Sequence, residues 1–237
     1  MFTVDVEPDC LPFLSGWRGM DEGFPKLLEL LAQEGVAATC FTTGETAERY
    51  PDAMRALLAG GHELACHGHT HRRFSAMTPG EAREELERSS AVLRAFGAPV
   101  TAFRAPNLDF PDAYLPLLVE NGYSVDSSEG AHRLDHRMRP HLAAPVPGLT
   151  RVRASTTSSA LRLWPGLRDP WLARVQRPAM LFIHPWELVD LSRENLRWDC
   201  RMGTGARALE AVREVIALFR ARGGRFGTVA EWAAAAA

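Results

Sequence analysis

The chain of 237 residues is 46% hydrophobic and 24% charged, with a formal net charge of −2. That balance excludes the basic footprint of a nucleic-acid binder and a polybasic membrane patch, and no run approaches the ~18 apolar residues of a membrane span. The length suits one α/β domain, residues 1–237.

The N-terminal MFTVDVEPDC has neither a basic n-region nor a long apolar h-region, so a cytoplasmic location is expected. Phe2–Val6 is β-branched and reads as a strand, and residues 24–35 follow with helical spacing and a Gly stop. A second strand is expected over 37–43, a helix over 51–61, and a third strand over 62–67. Residues 78–97 read as a long amphipathic helix with Thr78 and Glu81 in capping-box spacing. Strand 101–106, helix 111–122 and strand 123–128 continue the rhythm. From 129 to 177 the pattern loosens into Pro/Arg-rich sequence, and then come strand 179–185 and helices over 205–224 and 228–237. This alternation predicts parallel strands joined by crossover helices, closed into a barrel or near-barrel. No glycine-rich phosphate loop follows the first strand. Cys10, Cys40, Cys66 and Cys200 form no CxxC pair, so reduced thiols are expected rather than a zinc ribbon.

Chemically capable residues stand at the C-terminal ends of these strands: Asp5 and Glu7, His67 to His71, Arg104, Asp126 and His184. In a parallel barrel those ends share one mouth. Four histidines crowd into HELACHGHTH, but eight histidines in 237 positions make about 0.3 HxxxH pairs by chance. The chain carries its own decoy, His132 and His136, in an arginine-flanked loop.

His67 and His71 have the better setting, after a buried strand, and their spacing would place both imidazoles on one side of a helical turn. Two histidines plus one acid make a catalytic zinc-type site. Asp5 and Glu7 point the same way from an extended segment. One can bind the ion while the other accepts a proton from the activated water. Arg104 suits the charge partner of the free carboxylate, and His184 a proton donor to a leaving amine, with Asp126 placed to orient it. His69 reads as a spacer and His62 as a strand residue.

In this order the motifs resemble the polysaccharide deacetylase (NodB-homology) family over nearly the whole chain. Thr3-Val-Asp-Val-Glu7 stands where the family has TFDD, and Gly61-His62-Glu63 leads into a His67–His71 motif. Arg104-Ala-Pro106 matches RxP, Asp126 the aspartate of the fourth motif, and Leu181-Phe-Ile-His184 matches LxIH. The resemblance implies a distorted (β/α)7-type barrel and hydrolysis of acyl groups on sugars with one divalent ion, zinc first, with cobalt, nickel or manganese as alternatives. It implies Asp5 as base, His67 and His71 as ligands, Arg104 as orienter of Asp5, and His184 as an acid tuned by Asp126. Val6 replaces the usual second aspartate, and Glu7 takes its place as ligand, as in a subgroup with DxE and an HPWE ending, here His184-Pro-Trp-Glu187. Gly68 replaces a family hydroxyl. Pro106, Asn107 and Trp186 are expected to contact substrate, and residues 129–177, with His132, Arg133, His136, Arg137 and Trp164, to wall the pocket.

The expected substrate is a carbohydrate or a lipid-linked or nucleotide-linked sugar. RGMDEGFPKLLELL is also similar to formamido-sugar-lipid deformylases. Two further alternatives are a carbohydrate-binding relative that has lost metal through Val6, and a metal-independent allantoinase-like hydrolase. The sequence carries no signal for an oligomeric state.

Overall fold

The computed structural model describes residues 1–133 and 145–236. Its first strand, β1 (Phe2–Val6), is buried along its whole length because both faces are covered. Phe2, Val4 and Val6 pack against the apolar stripe of helix α1 (Phe24–Glu34), chiefly Leu27, Leu30 and Leu31, while Thr3 and Asp5 face the other way. Each such leucine contributes about 2 kcal/mol by leaving water. Gly35 ends α1 in the left-handed conformation at φ 57°, where a missing Cβ removes the steric penalty.

The remaining strands are β2 (Thr39–Thr42), β3 (Glu63–Cys66), β4 (Ala102–Phe103), β5 (Val125–Asp126), β6 (Thr150–Arg151) and β7 (Leu181–Ile183). All pair in parallel, in the order β6-β5-β4-β3-β2-β1-β7. The sheet curls into a near-barrel. Past β6, Ser155 N–H donates to the Met180 carbonyl at 2.8 Å and Met180 N–H to Ser155 Oγ at 2.9 Å, drawing the two sheet edges together. Inside lies a narrow apolar column of Phe41, Ala65, Ala102, Val125, Val152 and Met180. Outside lie α1, α2 (Gly44–Arg49), α3 (Pro51–Ala59), α4 (Pro79–Arg94), α5 (Leu115–Glu120), α6 (Ser158–Leu161), α7 (Pro165–Leu172), α8 (Trp198–Arg201) and α9 (Ala206–Ala221), while α10 (Val229–Ala236) closes the end where the strands begin, with Val229 and Trp232 against the column. The capping box expected at α4 is present, with Thr78 and Glu81 bonded reciprocally. None of the described helices is long and apolar enough to cross a membrane.

Two expectations are corrected and one unassigned segment is filled. The strands expected over 101–106 and 123–128 shrink to two residues each, and after β4 the chain turns through a 3-10 segment with Asn107 and Leu108 at positive φ. The loose region holds β6, α6 and α7, whose short, proline-interrupted runs are too brief to display a period. The residues right after β2 form a helix, α2, capped by Thr43, whose Oγ accepts from Thr46 N–H.

Candidate active site

Side chains alternate along each strand, so every second residue points into the barrel: Thr3 and Asp5 on β1 and Glu7 just after it, His67 after β3, Arg104 after β4, Ser127 after β5 and His184 after β7. At the mouth Glu7 Oε2 lies 2.5 Å from His71 Nε2 and 3.2 Å from His67 Nε2. The three donor atoms fall within 4.8 Å of one another. His67 Nδ1 donates to the Arg104 carbonyl at 2.8 Å, which leaves the Nε2 lone pair facing the Glu7 carboxylate. Two acceptors facing each other in a buried place call for a cation or an added proton between them. Two imidazole nitrogens and a carboxylate oxygen are the donor set of a zinc-type site, so the residues present fit a divalent ion. The Glu7 carboxyl is opposed by burial, yet the His71 and His184 imidazoles hold it well below the usual carboxylate range. Burial works against the charged form of His71, and Glu7 overcomes it to raise that imidazole.

The loop from His67 to His71 is not a helical turn, which corrects the sequence expectation. Gly68 at φ 75° and His71 at φ 57° are both left-handed, and they fold the chain back so that His71 meets His67 with ring centroids 5.3 Å apart. The left-handed backbone explains why glycine stands at 68 in place of the family hydroxyl. The loop is held from outside by Glu85 of α4, whose Oε1 accepts from His69 N–H (2.9 Å), Thr70 N–H (2.6 Å) and Thr70 Oγ (2.8 Å). Sequence reasoning missed Glu85. Its signal was an acid on the apolar stripe Ala82, Leu86, Ser89, Leu93 of an otherwise amphipathic helix.

Asp5 sits two residues before Glu7 with Arg104 beneath it. Arg104 is fully buried, its Nη1 donates to Asp5 Oδ1 (2.5 Å) and Thr3 Oγ (2.9 Å), and its Nη2 to Ser127 Oγ (3.1 Å). The guanidinium carbon lies 4.2 Å from the Phe41 ring centroid and 5.4 Å from that of Phe182, a cation–π clamp that keeps the charge in one place. Asp5 Oδ2 remains directed toward His184 Nε2, 4.0 Å away.

His184 is supported differently from the expectation. Its Nδ1 donates to Glu187 Oε1 at 2.6 Å, and Glu187 is ion-paired to Arg162 with both partners almost wholly out of water. The Arg162 Nη groups donate in turn to the carbonyls of Asp199 (2.9 Å), Cys200 (3.3 Å) and Met202. Burial opposes the charge on His184, but Glu7, Glu187 and Asp5 raise it to about 9. Burial likewise opposes ionisation of Glu187, and Arg162 with His184 brings it below the usual value.

Asp126, expected to orient His184, does not join the site. Its neighbours Val125 and Ser127 face the interior, so Asp126 faces outward, where it accepts from Ser128 N–H (3.0 Å) and pairs with Arg151 (3.0 Å). Burial raises its carboxyl despite Arg151. Trp186, expected to contact substrate, is buried: Nε1 donates to Glu7 Oε1 at 3.2 Å and the indole stacks on His184 at 4.8 Å. It steadies Glu7 instead. Pro106 is buried beside Gly68, and Asn107 is exposed with its carbonyl accepting from Arg133. His62 accepts from Ala38 N–H just ahead of β3. His69 is fully buried, its ring lying where a Cβ on Gly44 would be 2.0 Å from Nδ1. His132 lies against Gly130, Trp164 is exposed before α7, and His136 and Arg137 fall outside the described residues.

Comparison with known proteins gives one consistent result. A family profile described as polysaccharide deacetylase matches residues 3–125, just over half of the chain. A peptidoglycan deacetylase of Helicobacter pylori is 30% identical over 107 residues, which cover 45% of this chain and 36% of that protein. The chain thus spans about a third of the length of the curated relatives it matches. Among solved structures, a family 4 carbohydrate esterase from Streptomyces lividans superposes with a TM-score of 0.64 at 18% identity, covering 95% of this chain and 90% of that one. A family 4 pseudoenzyme from Bacillus anthracis superposes with a TM-score of 0.63 at 16% identity, covering 97% and 64%. The fold is therefore shared by an esterase and a pseudoenzyme, and only the side chains at the mouth can tell the two apart.

Proposed function

The chain belongs to the polysaccharide deacetylase family, and from that premise we propose that it is a metal-dependent hydrolase removing an N-acetyl or similar acyl group from a carbohydrate. The observation that carries this reading is the meeting, in one mouth, of the Glu7–His67–His71 donor set with Asp5 on one side and His184 on the other. The naming of relatives as peptidoglycan and chitooligosaccharide deacetylases supports an N-acetylated amino sugar as the substrate class.

Glu7, His67 and His71 would hold the ion, zinc being the best match to the donor set. When bound, it supplies Lewis acidity to the acyl carbonyl and to the attacking water. Asp5, fixed by Arg104, takes the proton from that water. His184, charged and fixed by Glu187, gives a proton to the departing amine, which otherwise leaves as a poor anion. Trp186 keeps Glu7 Oε1 engaged, so Oε2 is the oxygen presented to the ion.

The test is acyl release. The zinc-loaded chain is offered N-acetylated and N-formylated amino sugars, free, nucleotide-linked and lipid-linked, and acetate or formate is measured. Release that stops with chelator and returns with zinc is expected. Absence of release from every substrate, or undiminished release by an Asp5→Asn variant, would sink the reading.

A further inference from the structure

Among the described residues four groups accept protons from the two terminal nitrogens of Arg104. Asp5 Oδ1 and Thr3 Oγ take those of Nη1, at 2.5 and 2.9 Å. Ser127 Oγ and Met180 Sδ take those of Nη2, at 3.1 and 3.0 Å. The Ser127 hydroxyl in turn donates to Met180 Sδ at 2.8 Å. Arg104, Ser127 and Met180 are all wholly buried. Met180 stands just ahead of β7, and its side chain packs in the apolar column with Phe41, Ala65, Ala102 and Val125. Its backbone is pinned as well, since its N–H and its carbonyl are the groups that Ser155 engages where the sheet edges meet.

We propose that Met180 is a positioning residue for the base: its thioether sulfur, acting on Arg104 directly and through Ser127, holds the guanidinium under Asp5, a role that rests on the reading of Asp5 as the base of an acyl hydrolase. Of the four acceptors only Asp5 is an anion. A carboxylate beside Nη2 would compete for the charge of Arg104, whereas a thioether accepts without bringing a charge of its own. The thioether also carries no proton. The Ser127 proton therefore points at Sδ, and Ser127 presents a lone pair to Nη2. Every proton around the guanidinium then has one direction.

Without the sulfur, Nη2 would lose an acceptor in a place that water does not reach, and a buried charged donor left short is costly. The flanking rings of Phe41 and Phe182 attract the cation but do not fix its rotation in its own plane. The guanidinium would turn to find another acceptor, and Nη1 would turn with it away from Asp5. Methionine meets two demands at once at this position. Its unbranched body packs in the column like hydrocarbon, and its polarizable sulfur accepts. Leucine meets only the first demand and glutamine only the second.

The experiment compares the full chain with its Met180→Leu and Met180→Gln variants. Met180→Leu, which conserves volume, is expected to lower kcat by ~10-fold with KM and zinc content unchanged. Met180→Gln returns a neutral acceptor and should bring kcat back to within about threefold of the parent chain, although its amide is foreign to the column and lowers the thermal midpoint more than leucine does. Activity and stability should thus rank the two variants in opposite orders, which a packing role alone would not do. A second readout needs no turnover. In the metal-free chain with isotope-labelled arginine, the Arg104 Nη–H resonances should be separate and slow to exchange, merge in Met180→Leu, and separate again in Met180→Gln. A parent chain that releases no acyl group would end the hydrolase reading and leave these resonances to decide the role of Met180. A kcat within twofold of the parent in Met180→Leu, a loss carried by KM, equal losses in the two variants, or Arg104 resonances unchanged across the series would each overturn the proposal.

Discussion

The side of the mouth built from Asp5, Glu7, His67, His71 and Arg104 and the side built around His184 hold similar charges by different means. On the first side Asp5, Glu7, His67 and Arg104 sit at strand ends and His71 in the loop that folds back after β3, and the support is local or cross-barrel: Glu85 under that loop, Arg104 under Asp5. On the second side one strand end, His184, depends on Glu187 in the following turn and on Arg162, 22 positions earlier at the end of α6. The first side lies within the stretch matched by the family profile, and the second lies beyond it. The difference teaches that the two sides of one mouth can hold their charges by different scaffolds, provided each charge meets an opposite one out of water.

Breaking the first side should have the largest effect. His71→Ala is expected to abolish stoichiometric zinc binding, read by elemental analysis, and to cut acyl release by ~10⁴-fold, the scale of several kcal/mol of lost charge stabilisation. Asp5→Asn should lower kcat by ~10³-fold, within the range of general-base catalysis, with zinc content unchanged. On the second side, Glu187→Gln is expected to cost ~10- to 100-fold in kcat, as loss of an orienting partner does.

The sign of its pH effect follows from His184, which is raised to about 9. The charged imidazole is complete well below that pH and is lost as pH rises through it; the stability it contributes fades over the same window, from its ordinary value of 6.5 up to about 9. Removing the Glu187 carboxylate takes away one raising influence. The His184 midpoint in the metal-free chain, followed by NMR, and the alkaline limb of the loaded enzyme should therefore both move to lower pH; a midpoint that stays put breaks the comparison. The smallest effect is reserved for Asp126→Asn. Facing outward against Arg151, it should change kcat by less than about threefold, under ~0.7 kcal/mol, whereas a large loss would return Asp126 to the role the family resemblance implied for it.

The barrel and most of the mouth were legible in the chain because strand–helix alternation places strand ends together, and Asp5, Glu7, His67, Arg104 and His184 stand at such ends, with His71 in the loop that follows one of them. The Asp126 reading failed on parity. β5 is two residues long, too short for its alternation to show which neighbour points inward, and Ser127 carries no alarm as a residue type. Glu187 was visible within HPWE, yet its role required Arg162, and nothing in the aperiodic stretch around Arg162 announces a fully buried cation. Glu85 belonged to a helix whose other charges are solvated, so its inward turn was a matter of phase rather than composition.

Glu85 has one more consequence. It holds the His67–His71 loop through two backbone amides and the Thr70 hydroxyl and is not among the groups that would touch the ion. The shape of the loop is thus secured by folding rather than by occupancy. Metal exchange should then proceed by breaking ligand bonds one after another over a standing frame, so that loss and reloading are reversible and hydrogen exchange at His69 and Thr70 stays slow in the metal-free chain.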